Sequence, residues 1–170
     1  MGKIRNANVV KEEFYKLLQE NGYKVEEDSY VNAHSKIKCS DDEGYLYEIK
    51  QNVFIYSKTS SKWRSNKYAK DNFKLFIDKN YGFLTLLEDY VNNSTKIKAI
   101  DNDGYLYSLS PNKLINCGRK PSRWHYNDYS TENVINWLKI NQPTQKLKDG
   151  QKYKTMKTKM KFICSEHGEY

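Results

Sequence analysis

Tyr30-Val31-Asn32, Lys36-Ile37-Lys38 and Gly44-Tyr45-Leu46-Tyr47 recur sixty residues later as Tyr90-Val91-Asn92, Lys96-Ile97-Lys98 and Gly104-Tyr105-Leu106-Tyr107. The same offset relates Gly22 to Gly82, Asp41 to Asp101 and Asn52 to Asn112. One inserted residue then moves the offset to 61. It pairs Trp63 with Trp124, Tyr68 with Tyr129, Asn72 with Asn133, Phe76 with Trp137 and Asn80 with Asn141. A period of this size marks one structural unit per copy.

Each copy reads as three strands and a helix. Tyr23 to Glu26 is a short first strand. Ser35 to Ser40 is the second, with Ile37 inward and Lys36 and Lys38 outward. The turn Asp41-Asp42-Glu43-Gly44 needs a positive φ that glycine supplies. Tyr45 to Ile49 follows with Tyr45, Tyr47 and Ile49 on one face. The second copy offers Phe83 to Leu87, a segment that fits a helical period as well. It continues with Thr95 to Ile100, Asp101-Asn102-Asp103-Gly104 and Tyr105 to Leu109. Phe73, Leu75, Phe76 and Ile77 form the buried stripe of the first closing helix, which begins at Lys70 or Asp71. In the second, Val134, Ile135, Trp137 and Leu138 do so, with Ser130 or Thr131 as cap. Asn80 and Asn141 stand where left-handed C-cap residues belong. Ahead of the repeats, Asn8 to Asn21 carries Val9, Val10, Phe14, Leu17 and Leu18 at helical spacing and stops at Gly22. That helix is a cap on the first copy or a partner surface, the cap being favoured.

The expected fold is therefore α+β. It is a tandem repeat of two small three-stranded antiparallel sheets, each with one helix, plus an N-terminal helix and a partial third hairpin. The expected boundaries are 1–21 for the helix, 22–80 and 82–141 for the repeats, and 142–170 for a basic linker and truncated third repeat. In that tail Thr158-Lys159-Met160-Lys161 echoes Thr95-Lys96-Ile97-Lys98, and the chain is read as stopping inside the hairpin that Gly168-Glu169-Tyr170 begins.

Lys and Arg number 29 against 21 Asp and Glu, a formal charge of +8, and 15 tyrosines and three tryptophans accompany them. Basic charge attracts phosphates, and aromatic rings offer stacking surfaces. The cations concentrate in two polar loops of roughly 15 to 20 residues, a length usually associated with function or disorder. Lys58, Lys62, Arg64 and Lys67 surround Trp63. Lys113, Arg119, Lys120 and Arg123 surround Trp124. With Lys36, Lys38, Lys96 and Lys98 on the strands, these residues form the expected nucleic-acid-binding set. Tyr45, Tyr47, Tyr105 and Tyr107 contact the nucleic-acid backbone or form the core, the second role being favoured for at least one of each pair.

No apolar run approaches the roughly 20 residues that span a bilayer, and Met1 to Val10 lacks a secretory apolar stretch. The expected location is the cytoplasm, with no membrane partner. Cys39, Cys117 and Cys164 are odd in number and far apart, which argues against a disulfide framework. Cys164-Ser165-Glu166-His167-Gly168 offers two metal ligands, Cys164 and His167. Structural zinc takes four, so no metal and no cofactor is expected. The acidic turns suit solvated hairpin tips better than cation sites, and His125-Tyr126 suits loop packing better than catalysis. No phosphate-loop or dinucleotide motif is present. The chain is expected not to be an enzyme.

The pattern resembles DNA-binding repeat modules of phages and mobile elements that accompany homing-endonuclease-like nucleases. The matching stretches are Tyr90-Val91-Asn92-Asn93-Ser94-Thr95-Lys96-Ile97-Lys98, Asp103-Gly104-Tyr105-Leu106-Tyr107 and Asn127-Asp128-Tyr129-Ser130-Thr131-Glu132-Asn133-Val134. Phe162-Ile163-Cys164-Ser165-Glu166-His167-Gly168-Glu169-Tyr170 is similar to a zinc-bearing variant of the module. The resemblance covers Tyr23 to Asn141 and the last residues. It implies a DNA-targeting role, with duplex DNA as partner. Two alternatives stand beside it: a phage-encoded inhibitor of a host defence nucleoprotein such as a CRISPR effector, in the host cytoplasm, and a divergent nuclease or its DNA-targeting part.

Overall fold

The computed structural model describes residues 7–169 and, for side chains, 10–169. Val9 of the expected helical stripe, part of the leader reading over Met1 to Val10, and the hairpin residue Tyr170 fall outside those limits. The chain divides into two compact units, one through Phe76 and one from Ile77.

The first unit opens with α1 (Ala7–Glu20) and the antiparallel strands β1 (Tyr23–Glu27), β2 (Lys36–Asp41) and β3 (Leu46–Lys50). Helices α2 (Gln51–Ser57) and α3 (Ala69–Asn80) follow, α3 running on past Phe76. Period-two alternation decides the sheet. Ile37, Cys39, Tyr45, Tyr47 and Ile49 are buried on one face, and Phe14 and Leu18 of α1 close over them with Phe54 of α2. The tyrosines thus belong to the core. Phe14 lies 5.9 Å from Tyr30 and 6.4 Å from Phe54, so α1 acts as the cap of the first module. Burial pushes the Cys39 thiol up to about 12, as expected of an inert core cysteine.

The second unit repeats this plan with β4 (Leu84–Leu86), β5 (Ile97–Asp101), β6 (Leu106–Leu109), α4 (Pro111–Cys117) and α5 (Ser130–Asn141). The ambiguous segment at Phe83 is a strand. Leu84, Ile97, Ala99, Tyr105, Tyr107, Leu109, Leu114 and Leu138 are buried. Gly44 and Gly104 take φ of +85° and +80° at the equivalent hairpins, as the turn requires.

Three features correct the expected fold. The third module is not a partial hairpin. The strands β7 (Gln145–Leu147), β8 (Phe162–Cys164) and β9 (Gly168–Glu169) form a complete three-stranded antiparallel sheet. The described residues therefore hold three such sheets and five helices. β7 lies inside the stretch read as linker, because Gln145-Lys146-Leu147 carries no alternation that would announce a strand. Its pairing with β8 supplies the order that its composition lacks. Each of the first two modules also has a second helix. α2 and α4 are two turns long, and only Phe54 in the one and Pro111 and Leu114 in the other are buried. Such short stripes leave little periodic signal.

Smaller differences concern the closing helices. Ile135 and Trp137 are exposed, leaving Leu138 and Asn133 as the buried residues of that face. Asn80 and Asn141 end their helices without a positive φ; Lys58, Ser65 and Tyr126 hold the left-handed non-glycine positions. Ser130 and Thr131 do not cap α5. Their hydroxyls hold Tyr153, the Ser130 hydroxyl donating to its carbonyl (3.4 Å) and Thr131 accepting its amide (2.9 Å).

That tether joins the third copy to α5 of the second. Tyr153-Lys154-Thr155 stands in register with Tyr90-Val91-Asn92, and the Thr158 hydroxyl accepts the Lys154 and Thr155 amides as Ser35 accepts those of Val31 and Asn32. Cys164 pairs with Gln145 as Asp101 pairs with Leu84, so it occupies the position of the two turn aspartates. No helix among the described residues is long and apolar enough to cross a membrane.

Candidate nucleic-acid interface

The Trp-bearing loops are held in place by polar side chains that recur in both copies. Asn133 is buried on α5. Its carbonyl accepts the Leu106 amide (2.8 Å), while its amide donates to the carbonyls of Leu106 and Arg123, both at 2.8 Å. Asn72 does the same with Leu46 and Lys62. Asn127 and Asn66 add donations to the Leu106 carbonyl (2.7 Å) and the Leu46 carbonyl (2.8 Å). One edge of β3 or β6, which would otherwise be bare, is thus stitched to helix and loop.

The turn aspartates anchor the other side of the loop. Asp101 accepts the Tyr105 amide (2.9 Å), the Tyr107 hydroxyl (2.9 Å) and the Arg123 guanidinium (2.6 Å), and Arg123 also reaches Asp103 (2.7 Å). The guanidinium lies 3.9 Å from the Tyr105 ring centre. In the first copy Lys62 stands in for Arg123. It lies 3.4 Å from Asp41, 3.2 Å from Glu43 and 3.9 Å from the Tyr45 ring centre. The first aspartate of each turn, Asp41 or Asp101, is therefore a structural anchor, while Asp42, Glu43 and Asp103 stay exposed at the hairpin tip. Burial acts to raise the Asp101 carboxyl, but the Tyr105 amide, the Tyr107 hydroxyl and Arg123 together hold it below its ordinary value. A depressed folded-state pKa contributes stability above the ordinary carboxylate range that is lost as pH falls through the folded value. Urea unfolding of the wild type is expected to weaken below about pH 4. Asp101→Asn is expected to be less stable at pH 7, with a difference from wild type that shrinks toward pH 2.

The expected binding cations separate into three groups. Lys36 and Lys67 pair with Glu48, Lys96 with Asp128, and Lys62 and Arg123 with the turn carboxylates. Lys38 and Lys98 lie over the rings of Tyr68 and Tyr129, at 5.6 and 4.9 Å. Lys58, Arg64, Lys113 and Lys120 are exposed with no ion pair among the described residues, and Arg119 lies 4.3 Å over the Tyr126 ring. Trp63 packs edge-on against Tyr45, Phe73 and Phe76, and Trp124 against Tyr105.

Within the second unit, a groove of about 1040 Å³ gathers one part of this set. Lys113 of α4, Arg119, Lys120 and Trp124 of the loop, and Lys96 line it. Lys152, Tyr153 and Lys154 form another wall, and sequence reasoning assigned them to a linker. The tether of Tyr153 to Ser130 and Thr131 holds them there, together with the packing of Tyr153 beside Trp124, and nothing in the spacing of the lysines announced it. The groove's carboxylates are Asp128 and Glu132; Asp128 is taken by Lys96 at 2.7 Å. Lys113, Arg119, Lys120, Lys152 and Lys154 have no ion pair among the described residues, and Glu132 is the groove's remaining carboxylate.

Tyr126 stands at this groove, 79% exposed and with φ at +56°. A left-handed tyrosine costs about 1 kcal/mol that glycine does not, and the equivalent Ser65 has φ of +54°. The loop holds this conformation in both copies, and the second places an aromatic ring on it. Tyr126→Gly is expected to leave stability unchanged or raise it by up to about 1 kcal/mol, in urea unfolding.

Cys164 and His167 stand together at the third hairpin, Sγ to Nδ1 at 3.5 Å. The Glu166 amide, the His167 imidazole and the His167 amide hold the thiol below its ordinary value. No cluster of three metal-ligating side chains occurs among the described residues, so this pair falls short of the four ligands of structural zinc. Comparison with family models, with curated proteins and with solved structures returned no match.

Proposed function

We propose that the protein is a non-catalytic nucleic-acid-binding repeat protein that takes the phosphate backbone of duplex DNA along the groove of its second unit. The reading rests on one observation: Lys113, Arg119, Lys120, Lys152 and Lys154 line a single groove, and none of them is ion-paired among the described residues. The exposed Tyr126 and half-buried Trp124 give that groove aromatic surface between its cations. The resemblance to phage and mobile-element modules agrees with this role, in the cytoplasm of a host cell. The strand lysines serve it less well, because Lys36 and Lys96 are already engaged by Glu48 and Asp128.

Fluorescence anisotropy with a labelled duplex at 50 and 200 mM salt tests the reading. A groove contacting about five phosphates predicts a slope of log K against log salt near −4.5. Affinity should then fall several-hundredfold between the two salts. A flat salt dependence, or no binding at the lower salt, overturns it. Stable capture of a nucleoprotein without affinity for naked duplex would favour the inhibitor reading.

A further inference from the structure

An apolar pocket of about 290 Å³ opens beside the groove, walled by Trp124, Val134, Trp137, Tyr153 and Met156. Its position is informative because Trp124 and Tyr153 line both spaces. Their rings lie 6.0 Å apart and tilted by 58°, so they form a corner instead of closing on one another. Trp137 is 39% exposed and Met156 79% exposed, although both stand next to apolar surface. At the positions of Trp137 and Met156 the first two copies have Phe76 and Asn93, so the pocket is a local elaboration of the module.

We infer that this pocket receives one unpaired nucleobase from the strand whose phosphates lie in the groove. The inference rests on the proposed nucleic-acid reading and adds which form of nucleic acid is preferred. Three observations carry it. The walls carry ring faces and a thioether but no charged group, which suits a flat, weakly polar ring system. The pocket adjoins the cationic groove through shared walls, so an occupant with a planar ring attached to an anionic chain satisfies both at once. Lys154, beside Tyr153, lines the groove and supplies the cation expected at the junction of base and phosphate. A base inside a regular duplex has both faces covered by its neighbours and cannot enter. An extrahelical base or one in a single strand can, and stacking on aromatic side chains is how such bases are held.

The test compares three duplexes of equal length by fluorescence anisotropy: fully paired, with one extrahelical adenine, and with an abasic site at the same bulge. The wild type is expected to bind the adenine bulge about tenfold more tightly than the other two, with quenching of tryptophan fluorescence. Trp137→Ala and Met156→Ala, both surface changes, should lose that advantage and keep the affinity and salt slope of the paired duplex. Circular dichroism would confirm that each variant is folded. Equal affinity for all three duplexes, or an advantage that survives both substitutions, overturns the pocket's role and leaves the groove intact. Failure to bind any duplex overturns the groove reading together with it, and the apolar pocket would then fit a peptide side chain.

Discussion

Asn133→Ala is expected to destabilise the second unit by about 3 kcal/mol, as measured by urea unfolding, with a melting point lower by more than about 10 °C. The side chain is 1% exposed and makes three hydrogen bonds to backbone groups of β6 and the Trp124 loop. Removing it strands the Leu106 amide in a place that water cannot easily reach, and an unsatisfied buried group costs about 1–3 kcal/mol. The Leu106 carbonyl keeps Asn127 as a donor, which limits the loss. The small cavity adds to the cost. Asn72→Ala should cost a similar amount in the first unit, where Leu46 is bonded in the same way. Asn136→Ala gives the comparison. It lies on the same helix with one exposed hydrogen bond to the Asp103 carbonyl, and should cost less than about 1 kcal/mol. Equal effects at Asn133 and Asn136 would refute the role given to the repeated asparagine.

The second large effect is on binding. Reversing Lys113, Arg119 and Lys120 to glutamate is expected to lower duplex affinity at 0.1 M salt by at least about 500-fold. Each phosphate contact contributes about eightfold at that concentration, and three multiply. The slope of log K against log salt should become shallower by nearly 3. Stability should change by less than about 1 kcal/mol, because none of the three has a carboxylate partner among the described residues and the Arg119–Tyr126 contact is exposed. Lys139→Glu, on α5 outside the groove, should change affinity less than about tenfold. Arg123→Glu would also abolish binding, but through the anchor at Asp101, and the loss of stability would separate the two causes.

The first two copies were legible in the chain, because Gly44 and Gly104 or Asn72 and Asn133 sit in strict register whatever the composition around them. The sheets followed from the alternation of Ile37, Tyr45, Tyr47 and Ile49. The third sheet was only half legible. The echo at Thr158-Lys159-Met160-Lys161 and the hairpin glycine Gly168 announced a hairpin, whose first strand lies just beyond the echo at Phe162–Cys164, but the partner strand Gln145-Lys146-Leu147 is ordered by tertiary pairing and not by its own pattern. The same reason hid α2 and α4, each of which buries one or two side chains.

The site divides along similar lines. Sequence gathered the cations by proximity along the chain, which is blind to their counter-charges. Lys62 and Arg123 lie next to tryptophans in sequence but are turned back onto the hairpin carboxylates. Lys152 and Lys154 lie far from Trp124 in sequence and share its groove. The deciding element is the bond between Thr131 and the Tyr153 amide, which converts a predicted capping residue into a tether.

Tyr153 belongs to the third copy of the repeat, yet it walls both the groove and the apolar pocket of the second. A second copy cut off before Tyr153 would therefore keep its sheet and helices but lose one side of each hollow.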